Sequence, residues 1–332
     1  MTSLKTAGSL QITTPSRLHF GLFGFGAPGR QFGGVGAMIQ SPGLRLRVTS
    51  ADRFSTSGPL AHRVAEFAGR WCRHHGWDRL PACRLEVLSA PCQHVGLGVG
   101  TQLGMAVAAG LCRLLRGEVA PAEELARSVG RGRRSAVGTY GFEQGGLILE
   151  RGKLPHEALG PLVERHPLPA AWRFVLIQAS PRPGLSGNAE QQAFDQLPTV
   201  APGTTQRLWH EARDHLVPSV VAADFEGFSE SVYRFGRLAG SCFAERQGGA
   251  YNGPQLHWLV RRVRTLGVRG VGQSSWGPTL FAVLPDQAAA ENFCREIAEA
   301  CDGEELQLRI SPPANDGASI ERLPGKIGGG EQ

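Results

Sequence analysis

The stretch Gly96-Leu97-Gly98-Val99-Gly100-Thr101-Gln102 runs straight into an Ala-rich apolar segment, Leu103 to Leu115. Glycine inside a helix costs about 1 kcal/mol relative to alanine, so three alternating glycines read as a loop that opens a buried helix. Such a loop lets the backbone turn tightly and come close to a ligand. The helix start behind it offers N–H groups without intrahelical partners and the positive end of a dipole. Together these predict an anion site suited to phosphate or pyrophosphate, built from Gly96, Leu97, Gly98, Val99, Gly100, Thr101 and Gln102. A plain flexible loop is the alternative reading.

Upstream, Leu10 to Phe25 has the pattern of a strand, Gly24 to Gly36 is a glycine-rich turn, and Leu44, Leu46 and Val48 alternate with Arg45 and Arg47. This predicts a long hairpin. Its first strand contains Ser16-Arg17-Leu18-His19-Phe20-Gly21-Leu22. A period of two puts Arg17 and His19 on one face, a cation beside an imidazole, and makes both candidate catalytic residues. Downstream, Gly130 to Gly146 is a second glycine-rich segment carrying Arg131, Arg133, Arg134, Thr139, Tyr140 and Glu143. Arginine forks onto phosphate or carboxylate oxygens, so Arg133 and Thr139 are expected at the phosphate and Arg134 at the reacting centre. A third glycine segment, Gly270 to Pro278, lies between a helix and a strand and offers Ser274, Ser275 and Trp276 as substrate contacts. Trp276 suits stacking on a ring or a structural role in the core.

The 332 residues suffice for two domains. The Pro-, Gly- and His-rich stretch Gly152 to Pro169 predicts a boundary, giving domains over 1–168 and 169–323 and a disordered Gly-rich tail over 324–332. The first half reads as α+β with hairpins. In the second, strands at Phe174–Gln178, Leu280–Leu284 and Leu306–Ile310 alternate with helices expected over Asn188–Leu197, Thr204–Leu216, Asp224–Ala244, Gln255–Leu266 and Gln287–Cys301, as in a ferredoxin-like sandwich. With 41% hydrophobic and 19% charged residues the chain is not of the disordered class. The net charge is +6, and the only lysines are Lys5, Lys153 and Lys326. An Arg-rich surface can serve nucleic acid or anionic substrates or reflect a GC-rich genome, and because the arginines are dispersed rather than massed in a stripe, nucleic acid is the weaker reading. Seven cysteines without a C-x-x-C pair, and no apolar leader or membrane-length segment, lead us to expect reduced thiols and a cytoplasmic location. Cys72, His74 and His75 lack a second ligand pair and are not read as a metal site.

At these four places the chain resembles the GHMP kinase superfamily, with the motifs in the family's order from Pro15 to Trp276. The resemblance implies an α+β fold: an N-terminal domain similar to the second domain of ribosomal protein S5 and a ferredoxin-like C-terminal domain. The departures are specific. Where the superfamily's loop reads Gly-Leu-Gly-Ser-Ser-Ala, this one has Val99 and Gly100 in place of the serines that serve ATP and magnesium. Where mevalonate-kinase-like members carry a catalytic Asp, this chain has Arg134. Arginine stays protonated and cannot deprotonate an acceptor hydroxyl.

One branch of the superfamily does not phosphorylate: the β-ribofuranosylaminobenzene 5′-phosphate synthases of tetrahydromethanopterin biosynthesis. Ser16 to Leu22, His94 to Gln102, Gly184-Leu185-Ser186-Gly187 with its following acidic helix, and Asn315-Asp316-Gly317-Ala318 look like that branch. It implies condensation of phosphoribosyl pyrophosphate with 4-aminobenzoate or 4-hydroxybenzoate, with loss of carbon dioxide and pyrophosphate. Magnesium would accompany the diphosphate, with Glu143 as the nearby carboxylate, a candidate both as metal ligand and as catalytic residue. Arg17 and Trp276 are the candidates for holding the benzoate. The expected partners are these small molecules, not nucleic acid or a membrane, with a homodimer left open. An ATP-dependent small-molecule kinase and a non-catalytic ligand-binding protein on the same fold are the competing readings.

Overall fold

The structure, a computed structural model, describes residues 9–179, 192 and 196–324. The Gly184–Gly187 motif, nearly all of the helix expected over Asn188–Leu197 and the tail beyond Pro324 lie outside the described residues.

The hairpin is the spine of the first sheet. β1 (Ser9–Leu22) runs antiparallel to β2 (Gly34–Ser50), with Ile12 opposite Leu46 and Arg17 opposite Met38. β2 is long enough to take two partners on its other edge. Its second half pairs with β4 (Cys83–Ser89), beyond which lies β3 (Ser55–Ser57). Its first half pairs with β5 (Leu147–Glu150), followed by β6 (Leu162–His166). Helix α1 (Ala61–His74) and the Ala-rich α2 (Val99–Arg116) cover this sheet around Leu10, Ile12, Leu46, Val48, Phe67 and Trp71. Gly110 permits the contact, because a Cβ there would sit 2.7 Å from a Val48 methyl.

The second sheet is four-stranded and antiparallel, in the order β10 (Gln307–Ser311), β7 (Arg173–Gln178), β9 (Leu280–Leu284), β8 (Val271–Gln273). One face packs Val175, Ile177 and Ala282 against the helices Gly253–Thr265 and Gln287–Ala300. The other packs Phe174 and Phe281 against Phe228, Val232 and Phe235 of the helix Phe225–Ser241, together with Leu18, Phe20 and Val35 of the first sheet. That helix thus lies between the two sheets and joins their cores. Among the described residues no helix is long and apolar enough to cross a membrane.

Several elements differ from the sequence reading, among them strands β6 and β8, which fall in segments read as a domain boundary and a loop. The second glycine-rich segment contains a helix, α4 (Val137–Gln144), where glycine content argued for a loop. Close packing overrides propensity there, since a Cβ on Gly141 would lie 2.2 Å from Met38 Sδ. The expected helix Thr204–Leu216 is Pro202–His210 continuing into a π-helical turn, Glu211–Leu216, and on through Val217–Val221. A last strand, β11 (Ser319–Leu323), returns to the first sheet and pairs with β1.

Candidate functional site

The Gly96–Gln102 loop does open a helix: Gly96 and Gly98 take left-handed φ values of 92° and 73°, and α2 begins at Val99. It is clamped by the Gly270–Pro278 segment. The Ser274 hydroxyl donates to the Gly96 carbonyl at 2.7 Å and accepts from the His19 amide at 3.0 Å. The Ser275 amide donates back to the His19 carbonyl at 3.1 Å. The two backbones leave no room for side chains here. A Cβ on Gly96 would lie 2.3 Å from the Ser274 oxygen, and one on Gly277 would lie 2.4 Å from the Gly96 nitrogen.

Arginines approach the loop from two directions. The Arg17 amide donates to the Leu97 carbonyl at 3.0 Å, which holds β1 against the loop. Its side chain crosses Gly98, where a Cβ would be 3.1 Å from Arg17 Nε. Arg131 reaches Gly100, where a Cβ would be 3.0 Å from Nη2, and its guanidinium lies over the Phe67 ring at 4.9 Å. Helix α4 closes the third side. Gln102 Nε2 donates to the Gly138 carbonyl at 2.9 Å, and a Cβ on Gly138 would be 3.3 Å from the Thr101 methyl. Gln102 Oε1 and Thr139 Oγ1 are buried here without a hydrogen-bond partner. Such orphaned oxygens are uncommon and recur where a ligand or water completes a site.

The structure therefore brings together Arg17, His19, the 96–102 loop, Thr139 and Ser274. It disposes the other expected residues differently. Arg133 is exposed and lies near Lys153, whose ammonium is held below its ordinary range by burial and by that charge. Arg134 is partly exposed and immediately precedes Ser135. Ser275 is exposed, with φ 56°. Trp276 packs edge-on to Phe243, centroids 4.9 Å apart, beside a cluster containing Phe25. Glu143 is exposed, and its carboxylate accepts from the Ala122 amide at 2.9 Å, at the start of α3 (Ala122–Ser128), and from Gln144 at 3.3 Å. Among the described residues no three His, Cys, Asp or Glu side chains group to hold a metal ion. The loop junction offers guanidinium groups, hydroxyls and N–H groups, a donor set for phosphate oxygens rather than for a protein-held cation.

Beneath this junction lies a buried polar group that the sequence reading reached only in His19. His19 Nε2 and Ser135 Oγ are 2.8 Å apart. Behind Ser135 sits Glu150, fully buried, whose oxygens accept from the Ala136 amide at 3.1 Å and the Gly152 amide at 2.7 Å. Burial pushes the Glu150 carboxyl up to about 7, against the opposing pull of the Gly152 and Ala136 amides and the Ser135 hydroxyl. Burial, then the Arg17 charge, holds His19 well below the usual imidazole range, so its ring is neutral. Arg131, Ser135 and Glu150 were the residues missed. Their available signals were a third arginine in the same segment and a lone acid ending the apolar strand Leu147-Ile148-Leu149.

A family model described as the C-terminal domain of GHMP kinases matches residues 216–303. Solved structures with the same fold include a homoserine kinase from Cytophaga hutchinsonii (TM-score 0.65, 16% identity, covering 97% of this chain and 99% of that one). Another is galactokinase from Lactococcus lactis (TM-score 0.70, 11% identity, 94% and 95%). At these identities the likeness shows the fold alone, and the expected α+β GHMP-kinase architecture stands. By sequence the chain is similar to the β-ribofuranosylphenol 5′-phosphate synthase of Methanothermobacter thermautotrophicus, with 30% identity over 87% of this chain and 92% of that protein. It is also similar to the enzyme of that name from Archaeoglobus fulgidus, with 27% identity over 94% of this chain and 99% of that protein. On the GHMP-kinase fold and over nearly its whole length, this chain belongs to the β-ribofuranosylphenol 5′-phosphate synthase family.

Proposed function

We propose that this chain transfers the 5-phosphoribosyl group of phosphoribosyl pyrophosphate to the ring carbon of a 4-substituted benzoate, releasing pyrophosphate and carbon dioxide. The observation that carries the reading is the junction of the Gly96–Gln102 loop with Arg17 and Arg131. It supplies positive charge and N–H groups where a diphosphate would leave. By the resemblance to the kinases, Arg134 falls where they carry their catalytic Asp. In the reaction the bond from the anomeric carbon to the pyrophosphate oxygen breaks, and its electron pair departs with pyrophosphate. Preorganised donors stabilise that developing charge without reorganising. The ring carbon bearing the carboxylate then forms the new carbon–carbon bond. Loss of carbon dioxide returns the electron pair to the ring and restores aromaticity.

The relatives are named for a ribofuranosylphenol 5′-phosphate, which favours 4-hydroxybenzoate over 4-aminobenzoate as the acceptor. Glu143 does not fit as a magnesium ligand at this junction, because its carboxylate is engaged with Ala122 and Gln144. We infer that magnesium, when present, is held by the diphosphate and water, where it would offset phosphate charge. We also infer a cytoplasmic enzyme whose partners are small molecules, with homodimerisation open to measurement. ATP-dependent phosphorylation is the competing reading, since the family model matched over residues 216–303 is that of GHMP kinases. The test is incubation with phosphoribosyl pyrophosphate, magnesium and each of the two benzoates, and separately with ATP and the same acceptors, followed by mass spectrometry. A decarboxylated C-ribosyl 5′-phosphate formed without ATP supports the proposal; ADP formation with a phosphorylated acceptor sinks it.

A further inference from the structure

Helix α3 stops in a way that gathers cations. The Arg131 amide donates to the Ala126 carbonyl at 2.7 Å, and the Gly130 amide donates to the Arg127 carbonyl at 3.2 Å. These two bonds close a Schellman turn, which puts Gly130 in the left-handed region at φ 68°. The turn is partly exposed, and two arginines from different elements reach over it. A Cβ on Gly130 would lie 3.6 Å from Arg70 Nη1 and 3.8 Å from Arg133 Nη2, and among the described residues no other atom beyond the glycine's chain neighbours comes within 4 Å of that point. Arg70 belongs to α1, and its Nη1 also donates to the Val129 carbonyl at 3.3 Å. Its guanidinium lies over the Phe67 ring at 5.6 Å, the same ring that Arg131 covers at 4.9 Å. Like charges gathered this closely repel. Neighbouring arginines are offset by acids, Arg63 by Glu66 and Arg127 by Glu123. Among the described residues, Arg70 and Arg133 have no such acid.

We propose that Arg70 and Arg133, converging over the Gly130 turn, form a second anion site that takes the 5-phosphate monoester of the sugar phosphate, while the Gly96–Gln102 loop takes its diphosphate. An oxyanion between two guanidinium ends accepts from both and cancels their repulsion, and guanidinium groups suit phosphate oxygens in this role. The absence of a side chain at Gly130 matters here, because a Cβ would occupy the point on which the two nitrogens converge. The two anion sites are joined by Arg131. It follows Gly130 in the chain, and its Nη2 lies 3.0 Å from where a Cβ on Gly100 would be. The turn and the loop are therefore one arginine side chain apart, a separation that a ribose bearing a phosphate on each arm can span. Two separate sites also give the sugar a direction. A diphosphate bound at the loop fixes the leaving group, and a monoester held at Gly130 fixes the opposite end of the ring. That the site binds a phosphate monoester follows from the arginines; that the monoester is the 5-phosphate of phosphoribosyl pyrophosphate rests on the function proposed above.

The test is isothermal titration of the full chain with ribose 5-phosphate, pyrophosphate and phosphoribosyl pyrophosphate in turn, for the native protein and for Arg70→Gln, Arg133→Gln and Arg17→Gln. Ribose 5-phosphate carries the monoester alone, and pyrophosphate the diphosphate alone. In Arg70→Gln and in Arg133→Gln, ribose 5-phosphate and phosphoribosyl pyrophosphate should each bind roughly three- to tenfold more weakly, with pyrophosphate unchanged. Arg17→Gln should give the reverse pattern, with pyrophosphate weakened and ribose 5-phosphate unchanged. Arg133 is exposed, so its variant reads the same site should Arg70→Gln fold poorly. Native affinity for ribose 5-phosphate in Arg133→Gln, a loss that falls equally on pyrophosphate, or no binding of ribose 5-phosphate to the native chain would overturn the proposal. A native chain that binds ribose 5-phosphate through these arginines yet forms no C-ribosyl product from phosphoribosyl pyrophosphate would instead sink the functional reading and leave the anion site standing.

Discussion

The Ser274 hydroxyl donates to the Gly96 carbonyl at 2.7 Å, so a residue of the second sheet's loop fixes the first glycine of the Gly96–Gln102 loop, 178 positions away in sequence. Removing it in Ser274→Ala should destabilise the chain by about 1 kcal/mol and weaken phosphoribosyl pyrophosphate binding as the loop relaxes. Gly96→Ala should do more, about 1–3 kcal/mol. Its Cβ would meet the Ser274 carbonyl in a left-handed conformation that disfavours any side chain. Denaturant unfolding of both variants checks the order. Equal stability of Gly96→Ala and the native chain would mean that the two loops are not packed as described.

Arg17 and Arg131 should each contribute a charge-assisted contact to the diphosphate. Arg17→Gln and Arg131→Gln are expected to weaken phosphoribosyl pyrophosphate binding by about 1.5–3 kcal/mol each. Arg131→Gln should also lower stability slightly, because its guanidinium rests on Phe67. Isothermal titration calorimetry measures the affinities. An affinity unchanged in Arg17→Gln would take that side chain out of the phosphate site.

Much of this arrangement was legible in the sequence, and the part that was not has identifiable causes. Alternating glycines before an Ala-rich run marked the loop and α2, and period two placed Arg17 and His19 together. Helix α4 was hidden because Gly138 and Gly141 are there for closeness, to Thr101 and Met38, which no local propensity reveals. Strand β11 was hidden because its partner among the described residues, β1, lies some three hundred residues upstream. Which of three neighbouring arginines turns to the loop, Arg131, is set by the packing of its guanidinium on Phe67 and Gly100, contacts distant in sequence. Glu150 ended an apolar strand and gave no sign that Gly34, Gly152 and Gly160 would seal it from water.

The buried Glu150 makes stability depend on pH with a definite sign. Its carboxyl is raised from 4.5 to about 7 in the folded chain, so between those values the folded state holds a proton that the unfolded state has lost. Stability from this group is therefore full below about 4.5 and falls as pH rises through 7, by roughly 3 kcal/mol in all. His19 acts in the opposite sense, since its lowered value removes stability as pH falls below 6.5. Glu150→Gln should abolish the alkaline loss and leave the acid one, making the variant the more stable chain at pH 8 relative to its native difference at pH 4. Thermal unfolding across that range reads it, and parallel curves for the two chains would show that Glu150 does not titrate as stated.

The proposed reaction has the site release pyrophosphate and carbon dioxide rather than activate a hydroxyl. Carboxyl-labelled 4-hydroxybenzoate, incubated with the chain, phosphoribosyl pyrophosphate and magnesium in the absence of ATP, tests it directly. The account predicts labelled carbon dioxide released in equal amount and in step with pyrophosphate. Pyrophosphate released while the label stays in a ribosylated product, or no release of either while ATP is consumed, would contradict it.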